Sequence, residues 1–244
     1  MSLSKNEIKL LKSLQQKKFR NSEQTFVVEG IKMVNELLKS EKQEITAIYH
    51  TAEYETNHPK ARLISKGELE RISGLKSPNA VLATVKIPDE KQLNTPNDSF
   101  VILLDNVNDP GNLGTIIRTA DWFGINTVIC SEDTVDCYNP KVVQSSMGAI
   151  FRQEISYLNL MDAVKKLIAA GYTILGADMD GEDLYTYNFP DKCALIMGSE
   201  SHGLSDELKS HLTRITIPKF GDTESLNVAQ AAGIIMSAYR MKKQ

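Results

Sequence analysis

Apolar positions along this chain switch repeatedly between a helical period and short continuous runs. Ile8, Leu11 and Leu14 fall on one side of residues 4–18 and the lysines largely on the others, which predicts an amphipathic helix. Residues 25–29 read as a strand ending at Gly30, and Met33, Val34, Leu37 and Leu38 return 31–40 to helical spacing. Strands are predicted at 45–51, 62–64 and 80–86, with a helical turn or two over 67–72. Such alternation predicts a small, three-layered α/β domain over 1–87. Residues 88–99, with Pro88, Pro96 and several acidic and small polar side chains, cannot fill a core and read as a linker.

From residue 100 to 244 the alternation is more regular and predicts a second α/β domain. Residues 100–104 form a nearly unbroken apolar strand, the kind buried on both faces of a parallel sheet. Helices are predicted at 111–123, 140–151, 160–170 and 205–212, the third closed by Gly171. Strands are predicted at 127–130, 155–158, 172–177, 193–197 and 215–217. A last helix follows Ser225, Leu226 and Asn227 and carries Val228, Ala231, Ala232, Ile235 and Met236. Repeated β-α alternation implies a mostly parallel sheet with helices on both faces.

Composition adds little to the fold but narrows the function. Apolar residues make up 41% and charged residues 24% of the 244, as in an ordinary globular protein. No apolar run reaches the ~20 residues of a membrane span, and the N-terminus lacks a signal-peptide core. Cys130, Cys137 and Cys193 are too few for a disulfide scaffold or zinc site, so they read as buried reduced thiols of a cytoplasmic protein. The net charge is −3, yet residues 1–22 hold six basic side chains against Glu7 alone. That asymmetry suggests either a phosphate-binding face or a solvated helix.

Candidate chemistry sits at the ends of three strands, where open α/β sheets bind ligands. The first cluster, from Asp105 through Asn112 and Gly114 to Arg118, is a turn-rich loop entering a helix. Arginine there could grip a phosphate through its planar fork, or simply lie at the surface. Asn112 and Arg118 are six residues apart and share a helix face only if the helix begins between them. The second cluster is Met197, Gly198, Ser199, Glu200, Ser201, His202 and Gly203, long enough to rest an adenosine-sized ligand on backbone groups. His202 is an acid–base candidate or an exposed loop histidine. The third runs from Ile217 through Phe220 to Ser225, Leu226 and Asn227, with Ser225 either a helix N-cap or a polar contact. No G-x-G-x-x-G follows the first strand, no P-loop is present, and no spacing suggests a catalytic metal.

In order and spacing these clusters resemble the three motifs of the SpoU (TrmH-type) RNA methyltransferases of the SPOUT superfamily. Residues 5–86, above all the stretch from Phe26 to Leu38, resemble the substrate-binding domain often found before that catalytic domain. The resemblance implies an α/β fold whose C-terminal segment closes a deep trefoil knot, and a homodimer. It implies methyl transfer from S-adenosyl-L-methionine to a ribose 2′-hydroxyl of rRNA or tRNA. Carried over by motif, Asn112, Arg118, Glu200, Ser225 and Asn227 match the polar active-site positions. Met197, Gly198, Ser199, Glu200, Ile217, Phe220, Ser225, Leu226 and Asn227 match the cofactor loops. Ala229 and Gln230 depart from the third motif, where a small hydroxyl residue and then an apolar one commonly follow Asn-Val. A non-catalytic RNA-binding factor and a base methyltransferase are the alternatives.

Overall fold

In the computed structural model, residues 2–88, 98–198 and 210–243 are described. They form two compact units, one from 1–89 with 136–152, the other from 90–135 with 153–244.

The first unit carries helices α1 (Lys5–Ser13) and α2 (Lys17–Glu23), strand β1 (Thr25–Glu29), α3 (Ile31–Leu38), β2 (Ile45–His50), β3 (Ala61–Leu63), α4 (Lys66–Ile72) and β4 (Val81–Lys86). Its sheet runs β1-β4-β2-β3, antiparallel except for the β2–β3 pair. Where one helix was expected over 4–18 there are two. The chain turns extended at Gln16, and the Leu14 carbonyl accepts instead from the Arg20 guanidinium at 2.9 Å. Arg20 is only 1% exposed, and its Nε and Nη2 reach Asp136 Oδ2 at 3.0 and 2.5 Å. A buried arginine must be paired, and this one is.

Asp136 belongs to a segment that also carries α6 (Pro140–Ser146) and a 3₁₀ turn, Ala149–Phe151. The continuous helix expected over 140–151 breaks because Met147 and Gly148 both turn left-handed. A Cβ on Gly148 would lie 2.6 Å from Glu36 Cβ, so only glycine fits that approach. Gln144 Nε2 donates to the Glu29 carbonyl at 2.8 Å, holding α6 against β1.

The second unit is built on a six-stranded sheet. Its strands are β5 (Phe100–Leu104), β6 (Thr127–Cys130), β7 (Glu154–Tyr157), β8 (Thr173–Asp183), β9 (Cys193–Met197) and β10 (Thr213–Thr216). They are ordered β10-β8-β9-β5-β6-β7, and every pairing is parallel. Its helices are α5 (Pro110–Trp122), α7 (Leu160–Ala169) and α8 (Val228–Lys242). The mostly parallel α/β sheet expected from the apolar runs is present, and β5, β6 and β9 are buried at every residue. Alternate strand residues divide the core. Val101, Leu103, Ile129, Ala194 and Ile196 cluster with Leu160, Val164 and Leu167 of α7. On the other parity, Phe100 packs on Tyr239 of α8 with ring centroids 4.3 Å apart.

β8 extends six residues beyond the expected end at 177. Its acidic continuation has no apolar alternation, and its strand geometry comes from pairing with β10, across a register shift between Arg214 and Ile215. A Cβ on Gly181 would sit 2.7 Å from the Arg214 carbonyl carbon, so glycine permits that contact. The linker residues 89–97 and most of the expected helix at 205–212 lie outside the described residues. Among the described residues, no helix is long and apolar enough to cross a membrane.

Candidate active site

The connection from β5 leads to β6 on one side, while β9 leads to β10 beyond β8 on the other. Such a reversal between neighbouring strands opens a crevice at their carboxyl ends. The first cluster leaves β5 there and the second leaves β9. The Asp105 N–H donates to the Met197 carbonyl at 2.9 Å, joining the two strand ends.

The α5 helix begins earlier than expected, at Pro110. Asp109 is the N-cap, its Oδ1 accepting from the Asn112 N–H at 2.9 Å, and proline at the first position costs no hydrogen bond. Asn112 and Arg118 therefore both lie inside the helix, about 1.7 turns apart and on different faces. Leu113, Ile116, Ile117 and Ala120 are buried. Asn112, Thr115 and Thr119 fall at i, i+3 and i+7 and line a groove of about 1100 Å³. Arg118 is exposed and is not among the groove's lining residues.

The opposite wall is α8 along its length, from Asn227 to Lys242. Asn227, not Ser225, is the N-cap: its Oδ1 accepts from the Ala229 and Gln230 N–H groups at 3.0 and 3.3 Å. Asparagine reaches these amides because the helix starts at Val228, one residue after it. Its other end crosses the groove, where Asn227 Nδ2 donates to Asn112 Oδ1 at 2.9 Å. One side chain thus starts α8 and joins residues 115 positions apart. Since Ala229 and Gln230 meet the cap through backbone N–H groups, the unusual side chains there leave it intact.

Leu226 joins Asn112 and Asn227 in the groove, with Tyr185 and Met241 nearby; all three apolar side chains are substantially exposed. Ser225 lies on the exposed loop just before them. Phe220 stands almost wholly in solvent at 96% exposure, and Ile217, half-buried, follows β10. Met197 is buried at the end of β9 and Gly198 follows it. Ser199, Glu200 and His202 lie outside the described residues. Thr115, Thr119 and Tyr185 were not singled out from the sequence. The two threonines had a signal, their helical spacing from Asn112; Tyr185 had none.

Residues 99–237 match the model of the SpoU rRNA Methylase family. The chain belongs to this family. Residues 5–83 match the MRM3-like substrate binding domain. Among curated SpoU-type relatives, the Bacillus subtilis 23S rRNA (guanosine(2553)-2′-O)-methyltransferase RlmP is 33% identical over 243 residues, 96% of each chain. A TrmH-family structure from Porphyromonas gingivalis superposes with a TM-score of 0.88 at 38% identity, covering 98% of this chain and 99% of that one. The AdoMet-bound rRNA methyltransferase from Sinorhizobium meliloti gives a TM-score of 0.87 at 27% identity over 99% and 97%.

Proposed function

We propose that this chain transfers a methyl group from S-adenosylmethionine to a ribose 2′-hydroxyl of RNA, with rRNA favoured over tRNA. The Asn112–Asn227 contact carries this reading, because it unites the first and third motifs beside the end of a parallel sheet. The residues present fit the cofactor's chemistry: a loop exposing Leu226 and Phe220, with Ile217 half-buried, offers apolar surface for a flat heterocycle. Paired amides beside it suit a polar ribose and amino acid. Gly198, Ile217 and Leu226 would hold the cofactor through their backbones, with Met197, Ser199, Glu200, Phe220, Ser225 and Asn227 around it. When bound, S-adenosylmethionine supplies a methyl group on a positively charged sulfur.

The chain's own task is alignment and charge. Asn112 and Ser225 orient the ribose hydroxyl, and fixing such a pair of reactants can remove ~7–11 kcal/mol of barrier. Arg118 stands on another face of α5 and outside the groove, so in this reading it reaches that hydroxyl or the adjacent phosphate where a second copy of the chain completes the site. Arginine is a poor proton acceptor, so its part is to stabilise negative charge developing on the oxygen. The exposed Leu226, Tyr185 and Met241 beside the groove suit a second copy of the chain, which would supply a homodimer with the site at its interface. The segment returning from β9 to α8 would close a trefoil knot, residues 1–87 would grip RNA, and the protein would work in the cytoplasm.

Nucleoside mass spectrometry of rRNA and tRNA incubated with the protein and S-adenosylmethionine tests the reading. Ribose-methylated nucleosides are expected. Base-methylated nucleosides would shift the assignment to base methylation, and cofactor binding without product to a non-catalytic factor.

A further inference from the structure

The loop of the first motif is held by two hydroxyls that lie outside all three motifs. Ser131 and Thr134 follow β6, and Thr134 is 1% exposed. Thr134 Oγ1 donates to the Leu104 carbonyl at 3.2 Å and accepts from the Val107 N–H at 3.3 Å. Ser131 Oγ accepts from the Asn106 N–H at 2.9 Å and lies 2.9 Å from Thr134 Oγ1. The single Thr134 proton is committed to Leu104, so Ser131 is the donor between the two hydroxyls. A directed chain results, from the Asn106 N–H through Ser131 and Thr134 to the Leu104 carbonyl. Chains of this kind strengthen one another where water is excluded. The backbone is pinned as well: Val135 N–H donates to the Val107 carbonyl at 3.0 Å, and Ser131 N–H to the Leu104 carbonyl at 2.9 Å.

What the chain holds is a left-handed turn. Asn106 has φ +55°, a conformation that asparagine tolerates better than most residues and that the bonds to Ser131 and Thr134 fix here. The turn redirects the backbone from β5 to Asp109, whose cap sets where α5 starts and hence where Asn112 and Arg118 stand. We propose that Thr134, with Ser131, is a positioning residue for methyl transfer: it fixes the first-motif loop and, through it, the reacting geometry. This rests on the methyltransferase reading above.

The test compares wild type with Thr134→Val, Thr134→Ser and Ser131→Ala at a temperature well below every variant's melting transition. Thr134→Val keeps the shape but loses the hydroxyl, and is expected to lower kcat roughly 10- to 100-fold, the scale of a small misplacement of reacting groups. S-adenosylmethionine affinity should stay within about twofold, since kcat rather than binding reads alignment. Thr134→Ser should restore most of kcat, and amide exchange at Asn106 and Val107 should accelerate in Thr134→Val alone of the two. Unchanged kcat in a folded Thr134→Val, or equal losses in the Val and Ser variants, overturns the proposal. If Thr134→Val fails to fold, Ser131→Ala decides by the same two readouts, with kcat expected to fall about tenfold and the Asn106 amide to lose protection. A wild-type protein that methylates no RNA removes the functional reading instead; unchanged amide exchange in the variants then removes the brace separately.

Discussion

Asn227 performs two tasks with two different atoms, so conservative changes can separate them. Its oxygen caps α8 and its amide nitrogen donates to Asn112. Asn227→Ala removes both. Losing an N-cap costs ~1 kcal/mol, and an exposed neutral hydrogen bond adds about 0.5–1 kcal/mol. The sum, about 1.5–2 kcal/mol, lowers the melting temperature of a chain this size by roughly 3–8 °C. Asn227→Asp keeps an oxygen facing the Ala229 and Gln230 amides and places a negative charge at a helix N-terminus, worth ~0.3–1 kcal/mol. It cannot donate to Asn112, whose amide must turn its NH₂ toward the new carboxylate. The aspartate variant should therefore melt within about 1–2 °C of wild type yet lose at least about tenfold in single-turnover methyl transfer, because the Asn112 amide is reversed. Thermal melts and quenched single-turnover assays on both variants give the comparison. If Asn227→Asp melts as early as Asn227→Ala, the capping assignment is wrong; if it transfers methyl groups at the wild-type rate, the Asn112 orientation plays no part.

Other predictions follow from the same geometry. Arg118→Ala should reduce turnover at least about 100-fold, the scale of losing one charge-stabilising donor, while calorimetry shows S-adenosylmethionine bound as before; near-normal methylation would remove Arg118 from the reaction. Lys5, Lys9, Lys12, Lys17 and Lys18 are exposed, and replacing them with glutamine should lower the slope of log affinity against log salt by ~0.7–0.9 per lost phosphate contact. An unchanged slope would mark them as solvated side chains. Arg20 is excluded from that set because it is buried against Asp136, and deleting residues 1–22 would remove Ile8, Leu11 and Leu14 from the core. Acid should weaken the N-terminal unit through Glu7 and Glu68. Glu7 is held down to about 2, first by the Ser4 N–H, then by the Ser4 hydroxyl and Arg62. Glu68 is held to about 2 by the N–H groups of Ser65 and Leu3 and by the Ser65 hydroxyl. Both folded values lie below the ordinary 4.5, so their stabilisation is complete above that pH and is lost as pH falls toward 2. Denaturant midpoints between pH 5 and 2 should fall less steeply for Glu7→Gln/Glu68→Gln than for wild type; identical slopes would refute the linkage.

The sequence was most informative where one residue's environment repeats along an element. The unbroken run at 100–104 announced a strand buried on both faces and the run at 193–197 an apolar strand, and they occupy the sheet centre beside each other. Patterning failed where a distant partner decides the geometry. Nothing local shows that residues 178–183 continue β8, because their far end is held by pairing with Ile215 and Thr216 of β10. The break after Ser13 depends on Arg20 turning inward to satisfy a carbonyl and on Asp136 neutralising it, a partner 116 residues away. Summed charge hid this too: one of the six positive side chains near the N-terminus is buried and ion-paired with Asp136.

The candidate site divides along the same line. Asn112, Leu226 and Asn227 stood out as short polar and apolar residues at loop–helix junctions, and the fold brings them together. Ser225 looked like the cap because serine is a common N-cap, but the first helical residue, not residue type, selects the capping atom, and that residue is Val228. Ser131 and Thr134 carry no motif at all: a serine and a threonine in a polar turn are ordinary surface residues until the topology lays the end of β6 beside the end of β5. Parallel pairing makes this a rule rather than an accident. Neighbouring strands deliver their exit loops to the same edge, so the loop after a non-motif strand is the natural brace for the loop after a motif strand. In this chain that places the control of Asn112 partly in two hydroxyls whose sequence context points to no chemistry.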